Sequence, residues 1–166
     1  TGEDTLSLHD ALPILYLAEN ITYALWFSEN STAQSEEGNF LTECFVNIKN
    51  PIDLTAFHVK TVDLADLVRY VDAVYPMAKI YDFIPAQVAL LIKANQPTNI
   101  KMWAWQLIRS YAKFVNHIKE NTPYDGFLYY ENNPSDEVVN PATGQLEENV
   151  TKAVAIFKSH QVKVVD

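Results

Sequence analysis

The pattern of apolar and polar residues predicts strands near the start of the chain. Leu15–Leu17 is a short β-type run, and we expect Asn20 to cap a helix after it, because a short side-chain oxygen can accept from first-turn amides. Phe40–Ile48 has the period-two pattern of a strand and is the clearest strand prediction. Asn50-Pro51 ends this strand, since proline removes a ladder donor.

Three helices are predicted in the middle of the chain. The first follows Thr61 as its N-cap and ends before Pro76, and Pro85 lies in the first turn of the second. The longest spans Ile100–Lys119, where apolar residues recur at three- and four-residue steps. We interpret three aspartates in this part of the chain as solvated side chains on helix surfaces: Asp63, Asp66 and Asp72.

The C-terminal part returns to strand patterns. Phe127–Tyr130 and Val150–Phe157 are predicted strands, and Gln161–Val165 is a last short one. Asn132–Asn149 is polar, with two prolines and one glycine, and predicts a long exposed loop. Strands at both ends of the chain with helices between them predict an α+β fold with a mostly antiparallel sheet.

Composition narrows the functional classes. The chain has 166 residues, of which 48% are hydrophobic and 20% charged, which excludes a disordered polymer and predicts one domain with a real core. The net charge of −9, with the basic residues scattered, argues against nucleic acid as a partner. No apolar run reaches the roughly 18 residues that a membrane helix needs, so we expect no membrane partner.

The sequence shows no phosphate-binding glycine loop, no metal-ligand spacing and no cysteine with an activating histidine at a motif spacing. The four glycines form no phosphate-binding loop. His58, His117 and His160 are isolated and lack metal-ligand spacing, so we expect no metal. The single cysteine, Cys44, has no histidine at a motif spacing and is interpreted as a small core residue.

Two aromatic residues bracket the segment Leu15–Asn30. Tyr16 lies on the predicted strand and Phe27 at the far end of the predicted helix. Rings placed in this way can form the facing walls of a slot for a flat ligand. Aromatic residues beside a strand–helix junction are also frequent core residues, and residue type alone leaves both interpretations open.

The same segment resembles a known family. Tyr16-Leu17-Ala18-Glu19-Asn20, followed by Ala24 and Phe27, resembles the nicotinamide-binding segment of ADP-ribosyltransferases of the histidine–tyrosine–glutamate clade, which includes diphtheria toxin and the poly-ADP-ribose polymerases. Three further segments resemble strand motifs of the ADP-ribosyltransferase domains in phage and mobile-element polyvalent proteins: Val46–Thr55 (VNIKNPIDLT), Tyr124–Tyr129 (YDGFLY) and Val154–Lys163 (VAIFKSHQVK).

The resemblance covers Leu15–Thr55 and Pro123–Val165 and implies a split antiparallel sheet with a helical insertion at about residues 56–122, all within a single domain of residues 15–166. It implies NAD as the substrate, with mono-ADP-ribosyl transfer to a protein target or NAD glycohydrolysis as the reaction. The residues that it implies in nicotinamide binding are Tyr16, Ala18, Asn20 and Phe27.

The chain departs from the family at two positions. The family's histidine lies on a strand that precedes the position of Leu15, and we expect that strand to be missing here. The family's glutamate corresponds to about Ala153. A carboxylate that stabilises the oxocarbenium-like ribose would then come from Glu131, Glu147 or Glu148.

Residues 1–14 are interpreted as foreign to the domain. Thr5–Ile14 (TLSLHDALPI) resembles the translation of a sequencing adapter, so we do not count His9 among the candidate catalytic residues. The alternative to an NAD-binding domain is a non-catalytic protein-interaction module of a phage or mobile-element protein. In that interpretation the acidic loop 132–149 and the helix Ile100–Lys119 would meet a protein partner.

Overall fold

The computed structural model describes residues 14–20, 23–24, 42–57, 61–139 and 142–165, with the backbone alone for residues 133–138 and 147–149. The chain divides into two compact units. Unit 1 comprises Thr1–Lys49 and Glu131–Asp166, and unit 2 comprises Asn50–Tyr130.

Eight strands and four α-helices lie within the described residues. The strands are β1 (Leu15–Ala18), β2 (Cys44–Val46), β3 (Ile52–Asp53), β4 (Val62–Asp63), β5 (Lys101–Met102), β6 (Gly126–Val139), β7 (Leu146–Ile156) and β8 (Val162–Val164). The helices are α1 (Leu64–Val74), α2 (Ala86–Lys93), α3 (Ala104–Ser110) and α4 (Ala112–Asn121). Short 3₁₀ turns span Pro76–Ala78, Ile80–Phe83 and Ser159–Gln161.

In unit 1, β7 lies between β1 and β6. β1 and β7 are antiparallel, with Leu15 opposite Ile156 and Ala18 opposite Ala153. β2 pairs with β8, also antiparallel. The buried apolar residues described in this unit are Tyr23, Ala153, Ala155, Ile156 and Phe157.

Gln161, whose side chain is buried, links the end of β7 to the residue after β2 through side-chain and backbone hydrogen bonds. Its Oε1 accepts from the backbone amides of Phe157 and Lys158 at 3.1 and 3.0 Å, where β7 ends. Asn47, directly after β2, donates its backbone N–H to the carbonyl of Gln161 at 2.7 Å. The strand predicted over Phe40–Ile48 is shorter than expected, since only Cys44–Val46 is strand among its described residues. Residues 40–41 lie outside the described residues.

In unit 2, apolar faces of three helices build the core. The inward positions of α1 follow the i, i+3, i+4, i+7 spacing of an amphipathic helix. The buried residues of the three helices include Leu64, Leu67, Val68 and Val71 of α1, Leu107 and Ile108 of α3, and Phe114, Val115 and Ile118 of α4.

Asn50 and Asp125 hold the parallel strand pair of unit 2 together at one end. Asn50 N donates to Asp125 Oδ1 at 2.9 Å, and Asp125 N donates to the carbonyl of Asn50 at 3.1 Å. Next to this bridge, Ile52 of β3 lies opposite Phe127 of β6. Asn50 and Asp125 come from two of the segments that resemble family motifs, so here those segments maintain a strand pairing.

Two tyrosine hydroxyls from α1 and its C-cap satisfy the backbone of Asp53 on β3. The hydroxyl of Tyr70 donates to the carbonyl of Asp53 at 2.8 Å, and the amide of Asp53 donates to the hydroxyl of Tyr75 at 2.8 Å. Burial raises the pKa of Tyr70 to about 12, with further contributions from Tyr75 and Asp53. Tyr70 therefore remains a hydrogen-bond donor throughout the neutral range.

The prediction of a single long helix over Ile100–Lys119 is wrong. Its first residues form β5, which pairs with β4, and α3 begins only after Trp103, whose amide donates to Gln106 Oε1 at 2.7 Å. A break at Tyr111 separates α3 from α4. Ile100, which belonged to the predicted apolar stripe, is 41% exposed. Apolar spacing alone does not reveal a cap or a change of backbone direction within a run.

The exposed loop predicted over Asn132–Asn149 is largely strand. β6 extends to Val139 and β7 begins at Leu146, with Gly144 at a φ of 69° in the connection. Backbone groups pair regardless of side-chain polarity, so a polar composition did not prevent strand formation.

The fold is α+β, as expected, but the β3–β6 pair is parallel while β1–β7, β2–β8 and β4–β5 are antiparallel.

Candidate functional site

The predicted nicotinamide segment begins on β1, at the margin of the unit 1 sheet. Tyr16 is half-buried and lies opposite Ala155, and Ala18 lies opposite Ala153. Residues directly opposite each other in an antiparallel pair project from the same face of the sheet. The residues beside Tyr16 on its face thus include Ala18, which is exposed, and Ala155, which is fully buried.

The chain leaves the sheet directly after β1. Glu19 N donates to the carbonyl of Lys152 at 2.9 Å, continuing the ladder for one residue. Asn20 N then donates to Thr151 Oγ1 at 2.8 Å, so a side chain takes the place of a strand carbonyl. Asn20 Oδ1 accepts from Tyr23 N at 3.3 Å, and Tyr23 and Ala24 are helical. The prediction that Asn20 is an N-cap is confirmed.

An open depression lies at this junction. It is lined by Glu19, Asn20, Val150, Thr151 and Lys152. Glu19 and Lys152 are exposed and contribute one charge of each sign, whereas Thr151 is buried. The depression therefore offers both a cation and an anion to a polar ligand, beside backbone groups that are already paired.

The structure brings together Tyr16, Ala18 and Asn20, which lie on one strand and the turn that follows it. Phe27, the expected second wall of the slot, lies outside the described residues. The aromatic pair thus stays a prediction, and the geometry of the site rests on Tyr16 and its strand neighbours.

The three candidate carboxylates lie on β6 and β7. Glu147 and Glu148 belong to the first residues of β7, six and five positions before Ala153. At about 3.3 Å per residue, their backbones lie roughly 17–20 Å along the strand from Ala153. Glu131, on β6, is 8% exposed and is the one candidate whose side chain is described.

Sequence reasoning missed the role of Asp63, a buried carboxylate that accepts four hydrogen bonds. It caps α1 in place of the predicted Thr61, and its two oxygens accept from Ala65 N at 2.8 Å, Thr98 Oγ1 at 2.7 Å, Thr98 N at 3.1 Å and Asn99 N at 3.0 Å. Burial raises the pKa of Asp63, but these hydrogen bonds outweigh burial and lower the pKa to about 2.

The prediction that Asp63 is solvated on a helix surface is therefore wrong, since its side chain is buried at a strand–helix junction. An aspartate immediately before an apolar helical stripe is itself an N-cap signal, and that signal was available in the sequence. The buried hydroxyl of Thr151 carried no such signal, because threonine is an ordinary strand residue.

Within the described residues, no group of three or more histidine, cysteine, aspartate or glutamate side chains is arranged to hold a metal ion. The helices in the described part of the chain are too short or too polar to cross a membrane.

Comparison with known proteins returned no similarity. No protein-family model, curated protein or solved structure matches this chain.

Proposed function

We propose that this chain is an NAD-binding domain of the ADP-ribosyltransferase type, in which Tyr16 contacts the nicotinamide ring. The observation that supports this most is the arrangement of β1: a half-buried Tyr16 with alanine neighbours on its face, followed four residues later by a capped helix start at Asn20. This is the order of elements expected from the resemblance of Leu15–Asn30 to the nicotinamide-binding segment.

The chemistry of the ligand suits such a position. The nicotinamide of NAD is a flat cation, which an aromatic ring holds by stacking and by cation–π attraction. Ala18, two residues after Tyr16 on the same face of β1, is exposed and has a short side chain, so the surface next to Tyr16 at this position is open to a ligand. Substitution of the exposed Ala18 by leucine would therefore block the ligand without removing the ring of Tyr16.

The proposed reaction breaks the bond between nicotinamide and the ribose of NAD. Nicotinamide leaves with the bonding electron pair, and the ribose becomes oxocarbenium-like until a protein nucleophile or water adds and loses a proton. A carboxylate near the ribose would stabilise the charge that develops in the transition state. Because Ala153 has no carboxylate, we assign this role to Glu131, whose side chain lies buried on β6.

The test is a titration of the folded chain with NAD and with nicotinamide, in which ligand-observed NMR measures binding. We expect a dissociation constant near the millimolar range for nicotinamide and a weakening of about tenfold in Tyr16→Ala, since a lost aromatic contact costs on the order of 1 kcal/mol. Tyr81→Ala is the matched control, because Tyr81 is also half-buried but packs on Lys93 in unit 2.

Equal affinity of wild type and Tyr16→Ala for nicotinamide would contradict the assigned role of Tyr16. A separate assay of NAD cleavage should show that Glu131→Gln lowers the rate at least tenfold while NAD still binds. Glu147→Gln, whose backbone lies far along β7, should cleave NAD like the wild type.

The second candidate function is a non-catalytic interaction module, and the β6–β7 hairpin favours it. Val139 and Leu146, where the two strands end, are 61% and 65% exposed. Residues 132–149 contain four acidic residues and no basic ones, namely Asp136, Glu137, Glu147 and Glu148. A folded chain that binds neither NAD nor nicotinamide would favour this function, and Tyr16-dependent binding would count against it.

A further inference from the structure

We infer that Thr151 is a positioning residue for the nicotinamide site, an inference that rests on the proposed function. Thr151 lies on β7 and does not belong to the segment that resembles the family. Its side chain is 2% exposed, and its hydroxyl makes hydrogen bonds to Asn20 at the strand–helix junction and to the carbonyl of Lys152 on β7.

The hydroxyl of Thr151 ends the β1–β7 ladder. The last registered pair is Ala18 with Ala153, and the next ladder bond runs from Glu19 N to the carbonyl of Lys152 at 2.9 Å. At the following residue the amide of Asn20 turns to Thr151 Oγ1 at 2.8 Å. A side-chain acceptor at this point satisfies the amide while the backbone departs from the extended direction.

A second bond fixes the orientation of the hydroxyl. Thr151 Oγ1 donates to the carbonyl of Lys152 at 3.0 Å, the same carbonyl that accepts from Glu19. With its proton directed to that carbonyl, the oxygen presents a lone pair to Asn20. Because the side chain of Thr151 is 2% exposed, its hydroxyl depends on these protein partners for its hydrogen bonds.

The hydrogen bond from Thr151 affects the proposed ligand site through Asn20. With its backbone held by Thr151, Asn20 can place Oδ1 on the amide of Tyr23 and begin the helix four residues after Tyr16. Without the hydroxyl, the amide of Asn20 would be left without this acceptor, and we expect the start of the helix to move relative to Tyr16. Thr151 would thus set the shape of the site without touching the ligand.

The experiment compares three substitutions in the full-length chain. Thr151→Val keeps the shape and removes the hydroxyl, and Thr151→Ser keeps the hydroxyl. Thr122→Val is the matched control, because Thr122 in unit 2 also bridges two backbone groups, donating to Ile118 O at 2.6 Å and accepting from Tyr124 N at 3.3 Å. Nicotinamide affinity, thermal midpoint and hydrogen exchange of the Tyr23 amide are measured for each.

We expect Thr151→Val to raise the nicotinamide dissociation constant about fivefold and to speed exchange at Tyr23, consistent with the loss of one buried hydrogen bond. Thr151→Ser should stay within about twofold of the wild type, and Thr122→Val should lower the thermal midpoint while leaving the dissociation constant unchanged.

Unchanged affinity in Thr151→Val would overturn the positioning role and leave the proposed function intact. Weakened binding in Thr122→Val as well would show a general loss of stability and would also overturn it. Absence of binding by the folded wild type would overturn the proposed function itself. If the valine variant does not fold, Thr151→Cys supplies a weaker acceptor of similar size, and an affinity equal to that of Thr151→Ser would then contradict the role.

Discussion

Two strand–helix junctions in this chain are capped in opposite ways. In unit 2, Asp63 joins β4 to α1, and its charged side chain is 6% exposed and accepts four hydrogen bonds. In unit 1, Asn20 follows β1, is exposed, and accepts a longer bond from Tyr23 N at 3.3 Å. The Asp63 junction is capped by a buried, charged carboxylate. The Asn20 junction is capped by a neutral side-chain amide and lies beside an open depression.

The difference shows what each junction can do. The oxygens of Asp63 are taken up by backbone and hydroxyl donors from α1 and from Thr98 and Asn99, so this carboxylate stabilises the fold and is unavailable to a ligand. At Asn20 the backbone is fixed by Thr151 while the side chains of Glu19 and Lys152 remain at the surface. A junction of the second kind has the accessibility that a binding site requires.

The largest effect that this comparison predicts is in unit 2. Asp63→Ala should lower the free energy of unfolding by about 2–4 kcal/mol, since it removes an N-cap and leaves the amides of Thr98 and Asn99 without their acceptor. Urea unfolding followed by circular dichroism measures this, with hydrogen exchange of α1 amides as the local readout.

Asp66→Ala is the control for Asp63→Ala, because Asp66 is exposed and makes only a 3.8 Å ion pair with Arg69. Its effect should stay below about 0.5 kcal/mol. Similar losses in the two variants would contradict the view that the buried cap dominates this junction.

The pH dependence of stability should separate the two junctions next. The pKa of Asp63 is lowered from 3.8 to about 2, so between these values the unfolded chain binds more protons than the folded chain. The stability contributed by Asp63 is thus complete above pH 3.8 and is lost as the pH falls through about 2. Unfolding in urea from pH 5 to pH 2 should therefore show a smaller decrease for Asp63→Asn than for the wild type. Parallel curves for the two proteins would exclude this linkage.

The same comparison shows how far the sequence alone could lead. The α+β class, the strand at Leu15–Leu17 and the cap at Asn20 were predicted because each depends on local spacing or on a short polar side chain at a helix start. Local sequence signals fail where the same apolar spacing is compatible with two different backbone conformations. The apolar steps of Ile100–Lys119 continue through β5, the Trp103 cap and the break at Tyr111 without a change of period.

Long-range partners are the part that could not be predicted. Asp63 was misinterpreted because its acceptor role depends on Thr98, which lies 35 positions away, and Thr151 contacts Asn20 across 131 positions. For the candidate site, the sequence indicated Tyr16 and Asn20, but it could not show that β7 places alanines beside the ring of Tyr16. Nor could it show that Glu147 and Glu148 lie on the far part of β7.

The smallest expected effect is at the exposed junction. Asn20→Ala should cost about 1 kcal/mol, measured as faster hydrogen exchange at Tyr23 and Ala24, because the alanine cannot accept from Tyr23 N. Asn20→Asp keeps the acceptor and adds a charge that a helix start favours, so its exchange should be equal to or slower than that of the wild type. A loss at Asn20 as large as that at Asp63 would contradict the contrast between the two caps. A loss confined to Tyr23 and Ala24, with α1 unchanged, would support a junction that adjusts locally, as a ligand site at the margin of a sheet requires.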